Sequence, residues 1–539
     1  MRKFILKTRI PNLFNKPLER PWLCFYLLAF LVLFFFFYIL PLDQRIYYLG
    51  DDFAQYIQHA RNIHNGQPYT NLPYPFNPKA QISPPAYPPV APLLISFFVA
   101  GPGLQIALIR VEALIFMLLS LFVLYKIFSR FGDLSIRWEV LLVFLFLPGV
   151  LDTMGDIGST IPYTFFSYLA LWSLISLPDD RFHWIPTLTT GLLIGLAALT
   201  RDIGLALWIG GGLFFIQKIW KRPESRPILY GQLIFISLIF FSLLGVWNFY
   251  KYQQGLSSPF EIYFNTCLGL GNLTPLKLLA RLTSNLYYFA QKIYELLFPI
   301  SSMINSISYL NWLRFLVAFI ILGILCWQIL KSLRQPFLPI TLYLASYLGI
   351  FSLMSFHISR IGVRMVVPIA PLLVFYFFKG LKEFSVSSFK IFTPLVYRTL
   401  ILLWIGLSIL GSIDILSSRE SPQNLGFSPE GLPYRSMTSH IKQELPHSAR
   451  IAYIKPRYLS LYTDHQTVIP PFLGPPSYTG PALEIITYLS DWQVAYVLLD
   501  DHFRNEEKAL RDTMAHFPDR FSLSFASPPL FLYRFFSPG

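Results

Sequence analysis

Charged side chains are scarce in this sequence. Asp, Glu, Lys and Arg together make up 13% of the 539 residues, whereas soluble globular proteins carry about 25%. Hydrophobic residues make up 54%, aromatic residues 17%, and the mean hydropathy is +0.50. A soluble protein of this length could not bury so much apolar surface in one or two cores. The composition therefore excludes a soluble globular protein and predicts a polytopic membrane protein.

Cysteine is scarce as well. The three cysteines, Cys24, Cys267 and Cys326, show neither a CxxC pair nor any other metal-binding spacing. The sequence therefore argues against a disulfide framework and against a structural zinc site. A cleavable signal peptide is not expected either, because the first apolar run, residues 22–40, has 19 uncharged residues and is long enough to cross a bilayer.

Long apolar runs dominate what is present, and they predict a polytopic α-helical membrane protein of about eleven spans. The predicted spans are residues 22–40, 106–128, 140–150, 161–177, 185–199, 203–216, 228–250, 312–330, 337–356, 365–378 and 399–415. Residues 90–100 are predicted to form a kinked or re-entrant piece. Lys and Arg concentrate in alternate connections, starting with the N-terminal segment, which places the N-terminus in the cytoplasm and the C-terminus outside. The net charge of +14 is therefore not interpreted as a nucleic-acid signal.

The last part of the chain changes in character. From about residue 417 charged residues return and short helical and strand-like patterns alternate, which predicts an external soluble α/β domain over 417–539. Helices are predicted at 438–445, 481–492 and 506–517, and buried strands at 450–454 and 494–499. Residues 1–416 form the predicted transmembrane domain, with a first external loop at 43–89.

The first external loop carries the most informative motif, GDDFAQYIQHARNIHNGQPY at 50–69. Asp51 and Asp52 are expected to be ionised at the outer edge of the membrane, since an ordinary aspartate has a pKa of about 3.9. Either one could accept a proton from a hydroxyl nucleophile or coordinate a cation. The same pair of acids also fits a simple helix cap.

Helical spacing places Asp52, Tyr56 and His59 on one face of a helix after Gly50. Nine prolines between Pro68 and Pro92 favour an extended backbone downstream. Tyr87 and other aromatic residues lie among them, at positions suited to stacking on sugar rings.

The order of these motifs resembles the GT-C fold glycosyltransferases, in particular the bacterial relatives of protein O-mannosyltransferases and of lipid A aminoarabinose transferases. The resemblance starts with a basic tail, one span, GDDxxxYxxxAxNxxxGxxY and PPxYPP. It continues through TRDIGLAL at 200–207, RIGVRMVVPIAPLL at 360–373, IAYIKPRYLSLYT at 451–463 and YVLLD at 496–500. It implies that 1–416 is a catalytic membrane domain that moves a sugar from a polyprenyl-phosphate carrier to an acceptor hydroxyl outside the cytoplasmic membrane. The implied partners are the lipid-linked sugar, membrane lipids and a lipid, glycan or protein acceptor, with no nucleic acid.

The resemblance also implies an acid of the first loop as catalytic base. Asp51 fits the family's usual Asp-Glu pair slightly better, and Asp52 is kept beside it. The family's second acid stands at the outer end of the fourth span, where this chain has STIPYTFF and Thr160 in that place. Asp156 would lie one turn earlier if that helix extends so far, and it is the candidate replacement. The alternative is a helix N-terminus decorated with acids and capped by Ser159 or Thr160.

Arginines near the outer face are the candidates for binding the donor phosphate. Negative charge grows on a polyprenyl phosphate as the sugar bond breaks, and a fixed guanidinium stabilises that charge. Arg364 and Arg201 are the best placed and Arg360 is secondary, while snorkelling at the interface is the alternative for each of them. Tyr56 and Tyr87 are the predicted sugar- or acceptor-binding residues. The sequence predicts no metal-ligand cluster, and it leaves open whether a divalent cation is a cofactor.

Two rival functions fit many spans with charges at their ends: a transporter or flippase of lipid-linked sugars, and a non-catalytic binder of them. A transporter would more naturally show internal repeats and charges near the bilayer midplane, and the sequence shows neither. The triple glycine 210–212 is predicted to pack helices rather than bind phosphate, because it follows no strand and lacks a Lys-Ser/Thr pair.

Overall fold

A computed structural model describes residues 31–32, 34–40, 51–74, 86–99, 105–131, 134–256, 274–298, 311–333, 338–354, 362–387, 394–419, 428, 431–470 and 482–537. The chain divides into two compact units, Met1–Gln44 and Arg45–Gly539. In the first unit Phe35–Ile39 is helical, and most of the predicted first span lies outside the described residues. Every element below belongs to the second unit.

The longer, N-terminal portion of the second unit is helical in its described residues. Two helices, α1 (Asp51–His64) and α2 (Val90–Ser96), come from the predicted first loop and its kinked continuation, and Pro92 lies in the first turn of α2, where a missing N–H costs little. The helices that follow are α3 (Ile106–Phe131), α4 (Leu134–Phe146), α5 (Pro148–Gly155), α6 (Thr160–Ser176), α7 (Trp184–Thr200), α8 (Leu205–Lys221), α9 (Arg226–Gln253), α10 (Pro275–Leu297), α11 (Asn311–Ser332), α12 (Leu338–Leu353), α13 (Ala370–Ser387) and α14 (Pro394–Arg419).

Within the described residues, five helical stretches are long and apolar enough to cross a membrane. They are Ile106–Arg130, Asp202–Lys221, Pro223–Gln253, Val363–Glu383 and Thr399–Ser417. The helices α4 and α5 could form one more, broken span. The chain is thus a multi-pass membrane protein, but the number of eleven spans stays a prediction. Several predicted runs form helices such as α7, whose 17 residues rise only about 26 Å against a bilayer core of about 30 Å.

Proline explains the break between α4 and α5. The two helices meet at an angle of 56° around Leu147, whose backbone is extended with φ −64° and ψ 126°. The residue before a proline is disfavoured in the helical region, and Pro148 has no N–H to continue the ladder of α4. The chain therefore turns here and starts a new helix.

The triple glycine packs helices, as predicted, through one of its members. A Cβ atom added at Gly210 of α8 would lie 2.9 Å from the Tyr343 Cα of α12, so these two backbones touch. A Cβ at Gly211 would make an ordinary contact with Leu174, and one at Gly212 would meet nothing within 4 Å. Only the first position therefore requires glycine for close approach.

Gly210→Val is expected to destabilise the protein by about 1–3 kcal/mol, because the added methyl groups would force α8 away from α12. The measurement is the apparent melting temperature in detergent, which is monitored through the loss of monodisperse protein. Gly212→Val is the matched control and should stay within about 0.5 kcal/mol of the wild type. Equal melting temperatures for the two variants would contradict the close packing at Gly210.

The C-terminal part contains one five-stranded mixed sheet. Its strands are β1 (Arg450–Ala452), β2 (Thr467–Val468), β3 (Val494–Asp500), β4 (Phe521–Ser527) and β5 (Leu530–Phe535), in the order β2-β1-β3-β5-β4. Strand β1 runs parallel to β2 and β3, and β5 runs antiparallel to β3 and β4. The accompanying helices are α15 (Leu432–Glu444), α16 (Pro456–Thr463), α17 (Ala482–Asp491) and α18 (Lys508–His516).

The sequence predicted α17, α18, β1 and β3 within about two residues of their observed bounds, whereas the predicted helix 438–445 covers only the second half of α15. Helix α16 and strands β2, β4 and β5 were not among the predicted elements. For β4 a signal was available, because its sequence FSLSFAS alternates apolar and polar residues, which is typical of a strand with one covered face.

One hydrophobic core joins the first loop to the C-terminal part. It contains Ile57 and Ala60 of α1, Ile95 of α2, Met437 of α15 and Leu459 of α16. A hydrogen bond from Gln58 Nε2 to Ser460 Oγ, 2.7 Å long, links α1 directly to α16. The C-terminal part therefore lies against the helix that carries two of the three predicted catalytic acids, Asp51 and Asp52. Its division from the rest at residue 416 stays a prediction.

Candidate functional site

Asp52 is the centre of a cluster of polar side chains from distant parts of the chain. Its Oδ2 accepts a hydrogen bond from Arg364 Nη2 at 2.9 Å, and its Oδ1 accepts one from the Tyr87 hydroxyl at 2.7 Å. Arg457 Nη1 lies 3.8 Å from the same Oδ1. The Asp52 side chain is 38% exposed, so part of it is open to solvent. The side chain of Asp51 lies outside what the structure describes.

The local sequence explains how these groups meet. Asp52 lies in the first turn of α1, where the helix dipole favours a negative charge. Tyr87 is held in the proline-rich segment before α2. Arg364 lies in a short 3₁₀ turn, Val363–Met365, which follows Gly362 with φ +67°; that conformation favours glycine because side chains with a Cβ are strained there.

Two cations act on the Asp52 carboxylate. Burial raises the pKa of Asp52, but the charges of Arg364 and Arg457, together with the hydrogen bonds from Tyr87 and Arg364, lower it, and the net pKa lies below the usual value of an aspartate. Asp52 is therefore ionised at neutral pH.

Tyr56 lies one turn along α1 and extends the cluster, as the helical spacing predicted. Its hydroxyl shares a hydrogen bond of 2.9 Å with Ser159 Oγ, and its ring stacks on Tyr87 with ring centroids 4.6 Å apart. Burial raises the pKa of Tyr56 to about 12, so its hydroxyl is neutral. The structure brings both predicted sugar-binding tyrosines to Asp52, while their role in sugar binding stays a prediction.

Arg201 joins the cluster through Thr160, the residue that stands where the resemblance expects an acid. Arg201 Nη1 donates a hydrogen bond of 2.7 Å to Thr160 Oγ1. The same guanidinium contacts the sulfur of Met365, the residue directly after Arg364. Two of the three predicted phosphate-binding arginines therefore belong to one region. The third, Arg360, lies outside the described residues.

Asp156 does not occupy the place that the sequence suggested. Helix α6 begins at Thr160, and the backbone of Asp156 is extended, with φ −86° and ψ 131°, at the end of α5. The extension of α6 back to Asp156, on which that placement depended, is wrong because the chain turns between the two helices. Ser159 makes no side-chain cap for α6, and its hydroxyl bonds Tyr56 instead. A catalytic role for Asp156 stays a prediction.

Arg457 also belongs to this cluster, although it was not among the predicted site residues. An arginine in a domain rich in charged residues is usually on the surface, but Arg457 is only 1% exposed. Its guanidinium lies over the rings of Tyr74 and Tyr87, 5.2 and 6.0 Å from their centroids. One signal was available: Arg457 stands in the apolar and aromatic run of α16, and arginine is rarely buried without a partner.

His59, which lies on the same helix as Asp52, forms an uncharged pair with Tyr69. His59 Nδ1 donates to the Tyr69 carbonyl oxygen at 2.9 Å, so its Nε2 accepts from Gln55 Nε2 at 3.1 Å. The two rings stack with centroids 4.1 Å apart. Burial lowers the pKa of His59 to about 3; the hydrogen bond to the Tyr69 carbonyl opposes this effect, and the charge of Arg457 adds to it. His59 is therefore uncharged in the folded protein.

This low pKa predicts a loss of stability in acid. The unfolded chain takes up a proton at His59 below about pH 6.5, and the folded chain does so only near pH 3. The contribution of neutral His59 to stability is thus complete above about pH 6.5 and falls by about 1.4 kcal/mol for each pH unit below it. We expect His59→Gln to reduce the drop in apparent melting temperature between about pH 7 and pH 5, on either side of the ordinary histidine pKa. His64→Gln, at an exposed position of the same helix, is the control, and an unchanged drop in His59→Gln would contradict the burial of a neutral imidazole.

The candidate site has no recognisable metal cluster in the part of the chain that is described. No group of three or more His, Cys, Asp or Glu side chains there lies close enough to hold a metal ion. What the described site offers is one accessible carboxylate, two guanidinium groups at 2.9 and 3.8 Å from it, and neutral hydroxyl groups.

No family model matches this sequence, and no curated protein matches it. Solved structures do match. The chain is similar to ArnT of Cupriavidus metallidurans bound to undecaprenyl phosphate, with 13% identity, a TM-score of 0.55 and coverage of 95% of this chain and 98% of that one. It matches the apo state of the same protein with 13% identity, a TM-score of 0.56 and coverage of 96% and 98%. It also matches an oligosaccharyltransferase of Archaeoglobus fulgidus, in complex with Zn and sulfate, with 12% identity, a TM-score of 0.50 and coverage of 85% and 65%.

These likenesses define the fold class. The chain has the GT-C fold, as the resemblance in its motifs predicted. Within that class the match to ArnT, a lipid A aminoarabinose transferase, extends over nearly the whole of both chains.

Proposed function

We propose that this protein is a glycosyltransferase that moves a sugar from a polyprenyl-phosphate carrier to an acceptor hydroxyl at the outer face of the cytoplasmic membrane. The observation that carries the proposal is the Asp52–Arg364 pair, an accessible carboxylate and an accessible guanidinium in direct contact. One group suits a proton and the other a phosphate. The shared fold with a protein bound to undecaprenyl phosphate supports the choice of donor.

The proposed reaction is a single displacement. The acceptor oxygen attacks the anomeric carbon, the bond from that carbon to the phosphate oxygen breaks, and the polyprenyl phosphate leaves with the bonding electrons. Asp52 takes the proton of the acceptor hydroxyl. Arg364, with Arg201 beside it, stabilises the charge that grows on the phosphate. Tyr56 and Tyr87 line the place where sugar and acceptor meet.

Arg364 has two uses in this scheme. Before the donor binds, it holds Asp52 ionised, and an ion-paired carboxylate is a weak base. When the donor phosphate arrives, Arg364 can turn to it, since the arginine side chain is 38% exposed. The carboxylate then loses one of its cations and gains basicity. Binding of the donor therefore prepares the base for the acceptor.

The rest of the chain fits the same scheme. Apolar helices provide a surface for the lipid tail, and the alternating basic loops support a cytoplasmic N-terminus. Residues 417–539 form the external domain in this proposal, lying over the acid where a lipid, glycan or protein acceptor would enter. The sugar itself is not specified by the side chains of the site.

The test is to identify the lipid that co-purifies with the protein by native mass spectrometry and then to follow its conversion. We expect a polyprenyl-phosphate-linked sugar, and we expect release of free polyprenyl phosphate when acceptor is added. Movement of the intact lipid across liposomes without release would instead support a transporter or flippase. A bound lipid that is neither moved nor converted with any envelope fraction would support a non-catalytic binder.

A further inference from the structure

A buried cation reaches the proposed site from the C-terminal part of the chain. Arg457 Nη1 lies 3.8 Å from Asp52 Oδ1 and donates to the Tyr87 hydroxyl at 3.4 Å. The Tyr87 hydroxyl in turn donates to Asp52. Arg457 therefore acts on the carboxylate both by its charge and through the tyrosine that orients it.

The two arginines at Asp52 differ in their freedom to move. Arg364 is 38% exposed, whereas Arg457 is 1% exposed and lies against the faces of Tyr74 and Tyr87. A guanidinium that has lost its water must keep an anion, hydrogen bonds or aromatic faces around it. Arg364 can therefore exchange the carboxylate for a phosphate, and Arg457 is held where it is.

Helix α16 is fixed to α1 near this contact. The link is Ser460, three residues after Arg457, whose hydroxyl accepts the hydrogen bond from Gln58 of α1. The start of α16 is tied to the sheet, because the Pro456 carbonyl accepts from Thr467 Oγ1 of β2 at 2.7 Å. The position of Arg457 relative to Asp52 is thus set by the packing of the C-terminal part on α1.

We propose that Arg457 is a positioning residue that keeps the Asp52 carboxylate in place when Arg364 turns to the donor phosphate. This inference rests on the proposed function, and it assigns the C-terminal part a share in the active site. The charges of Asp52 and Arg457 cancel each other. The ionised Asp52 therefore keeps its place in the site after Arg364 has turned to the phosphate. Losing Arg457 would leave the carboxylate with no fixed cation during transfer.

The charged and titratable groups around Asp52 determine how its pKa responds to the loss of Arg457. On its own helix Tyr56 and His59 are both neutral. From the other elements come Tyr87, Arg364 and Arg457, and both arginines lower the pKa of Asp52. The charge of Arg201 acts on Tyr56, next to Asp52 in the cluster, and lowers the pKa of that tyrosine. Replacing Arg457 by a neutral residue removes a cation that none of the described neighbours replaces, so the pKa of Asp52 must rise.

The first measurement needs neither donor nor acceptor. Carbodiimide reacts with protonated carboxyl groups, so mass spectrometry of labelled Asp52 against pH reports its titration in the full-length protein in detergent. We expect Arg457→Gln to move the labelling midpoint to higher pH and Arg457→Lys to keep it near the wild type. Arg504→Gln, at an exposed arginine of the same part of the chain, is the matched control and should leave the midpoint unchanged.

Arg457→Met is the second neutral variant, because an apolar side chain suits a buried place if the glutamine variant fails to fold. The same rise in the midpoint is expected. An unchanged midpoint in either folded neutral variant, or an equal rise in Arg457→Lys, would overturn the inference.

The second measurement uses transfer from the identified lipid. We expect the neutral variants to lower kcat by about tenfold, with little change in the KM for donor. This is less than the roughly 10²–10⁴-fold contribution of a positioned general base, because Asp52 itself is still present. We also expect them to move the acid limb of the pH profile upward, with Arg457→Lys restoring both in part. A loss of activity only in proportion to the loss of folded protein would indicate a structural role and overturn the inference. Absence of transfer in the wild type would instead count against the proposed function, and the labelling experiment would still decide whether Arg457 acts on Asp52.

Discussion

Asp52→Asn is expected to lower the rate of sugar transfer by about 10²–10⁴-fold, the usual contribution of a positioned general base. An asparagine can still accept the hydrogen bond from Tyr87, but its neutral amide cannot take the proton of the acceptor hydroxyl. The measurement is the initial rate of polyprenyl phosphate release at saturating donor. Asp51→Asn and the double replacement belong in the same series, because Asp51 fits the family motif slightly better and the described contacts are those of Asp52.

Asp52→Asn is also expected to lower the stability of the protein. Asn at position 52 leaves the buried Arg457 without the negative charge of Asp52, so we also expect a loss of about 1–3 kcal/mol in stability. This is less than for a fully buried pair, because the carboxylate is partly exposed. Combining Asp52→Asn with Arg457→Met removes both charges, and this should recover melting temperature without recovering the rate.

Asp464→Asn provides the control for the loss of an acid as such. Asp464 pairs with Lys442 on the surface, with side chains 60% and 52% exposed, and exposed pairs contribute little. Asparagine also tolerates the left-handed backbone of this position, φ 62°. Full transfer activity in folded Asp52→Asn, or recovery of the rate along with stability in the double variant, would refute the role of Asp52 as base.

Arg364→Ala is expected to reduce kcat/KM by about 10²–10³-fold, the range seen when one group that stabilises the charge of a transition state is removed. The donor phosphate loses its best-placed cation, and this loss is the reason for the lower rate. The pKa of Asp52 also rises, because the most effective nearby positive charge is gone, but a more basic carboxylate does not replace the lost contact with the phosphate. Arg364→Lys should restore the charge but not the two-pronged geometry, and so only part of the rate. Stability should change little, since the side chain is 38% exposed.

The effect on the donor phosphate and the effect on the Asp52 carboxylate can be separated by measuring the binding of undecaprenyl phosphate with native mass spectrometry. We expect weaker binding in Arg364→Ala and no weakening in Asp52→Asn, because loss of the carboxylate removes the anion that competes with the phosphate for Arg364. Arg222→Ala is the control, because it removes an exposed arginine from an ion pair with Asp179 and leaves the candidate site intact. Unchanged affinity for the lipid phosphate in Arg364→Ala would show that this arginine serves the carboxylate alone.

Much of the site was visible in the sequence as separate residues. The motif after Gly50 predicted a helix with Asp52, Tyr56 and His59 on one face, and α1 has that form. Arg364 and Arg201 stand at the ends of apolar runs, and this position predicts that they bind the donor phosphate. What the sequence could not show was which acid meets which arginine, because the partners Asp52 and Arg364 are 312 positions apart.

Other parts of the fold could not be predicted because their patterns are weak or ambiguous. Helix α10 was not among the predicted elements: its apolar residues alternate with charged and polar ones, so it is not one long apolar run. Arg457 resembled any surface arginine until its neighbours were known, and its contact with Tyr87 joins residues 370 positions apart. Thr160 looked like the loss of an acid, and the structure shows that its hydroxyl binds Arg201.

The sequence by itself determined the class of the molecule and the positions of most helices. Those properties depend on composition and on periodicity over about 10 to 20 neighbouring residues, which tertiary packing rarely overrides when the apolar runs are long. Only the tertiary structure decided the electrostatic state of the acid. That state depends on cations within about 4 Å in space, and the cations come from a turn before α13 and from a helix in the C-terminal part. Charged residues are scarce in this sequence, and folding brings one carboxylate and two guanidinium groups from distant parts of the chain to a single site.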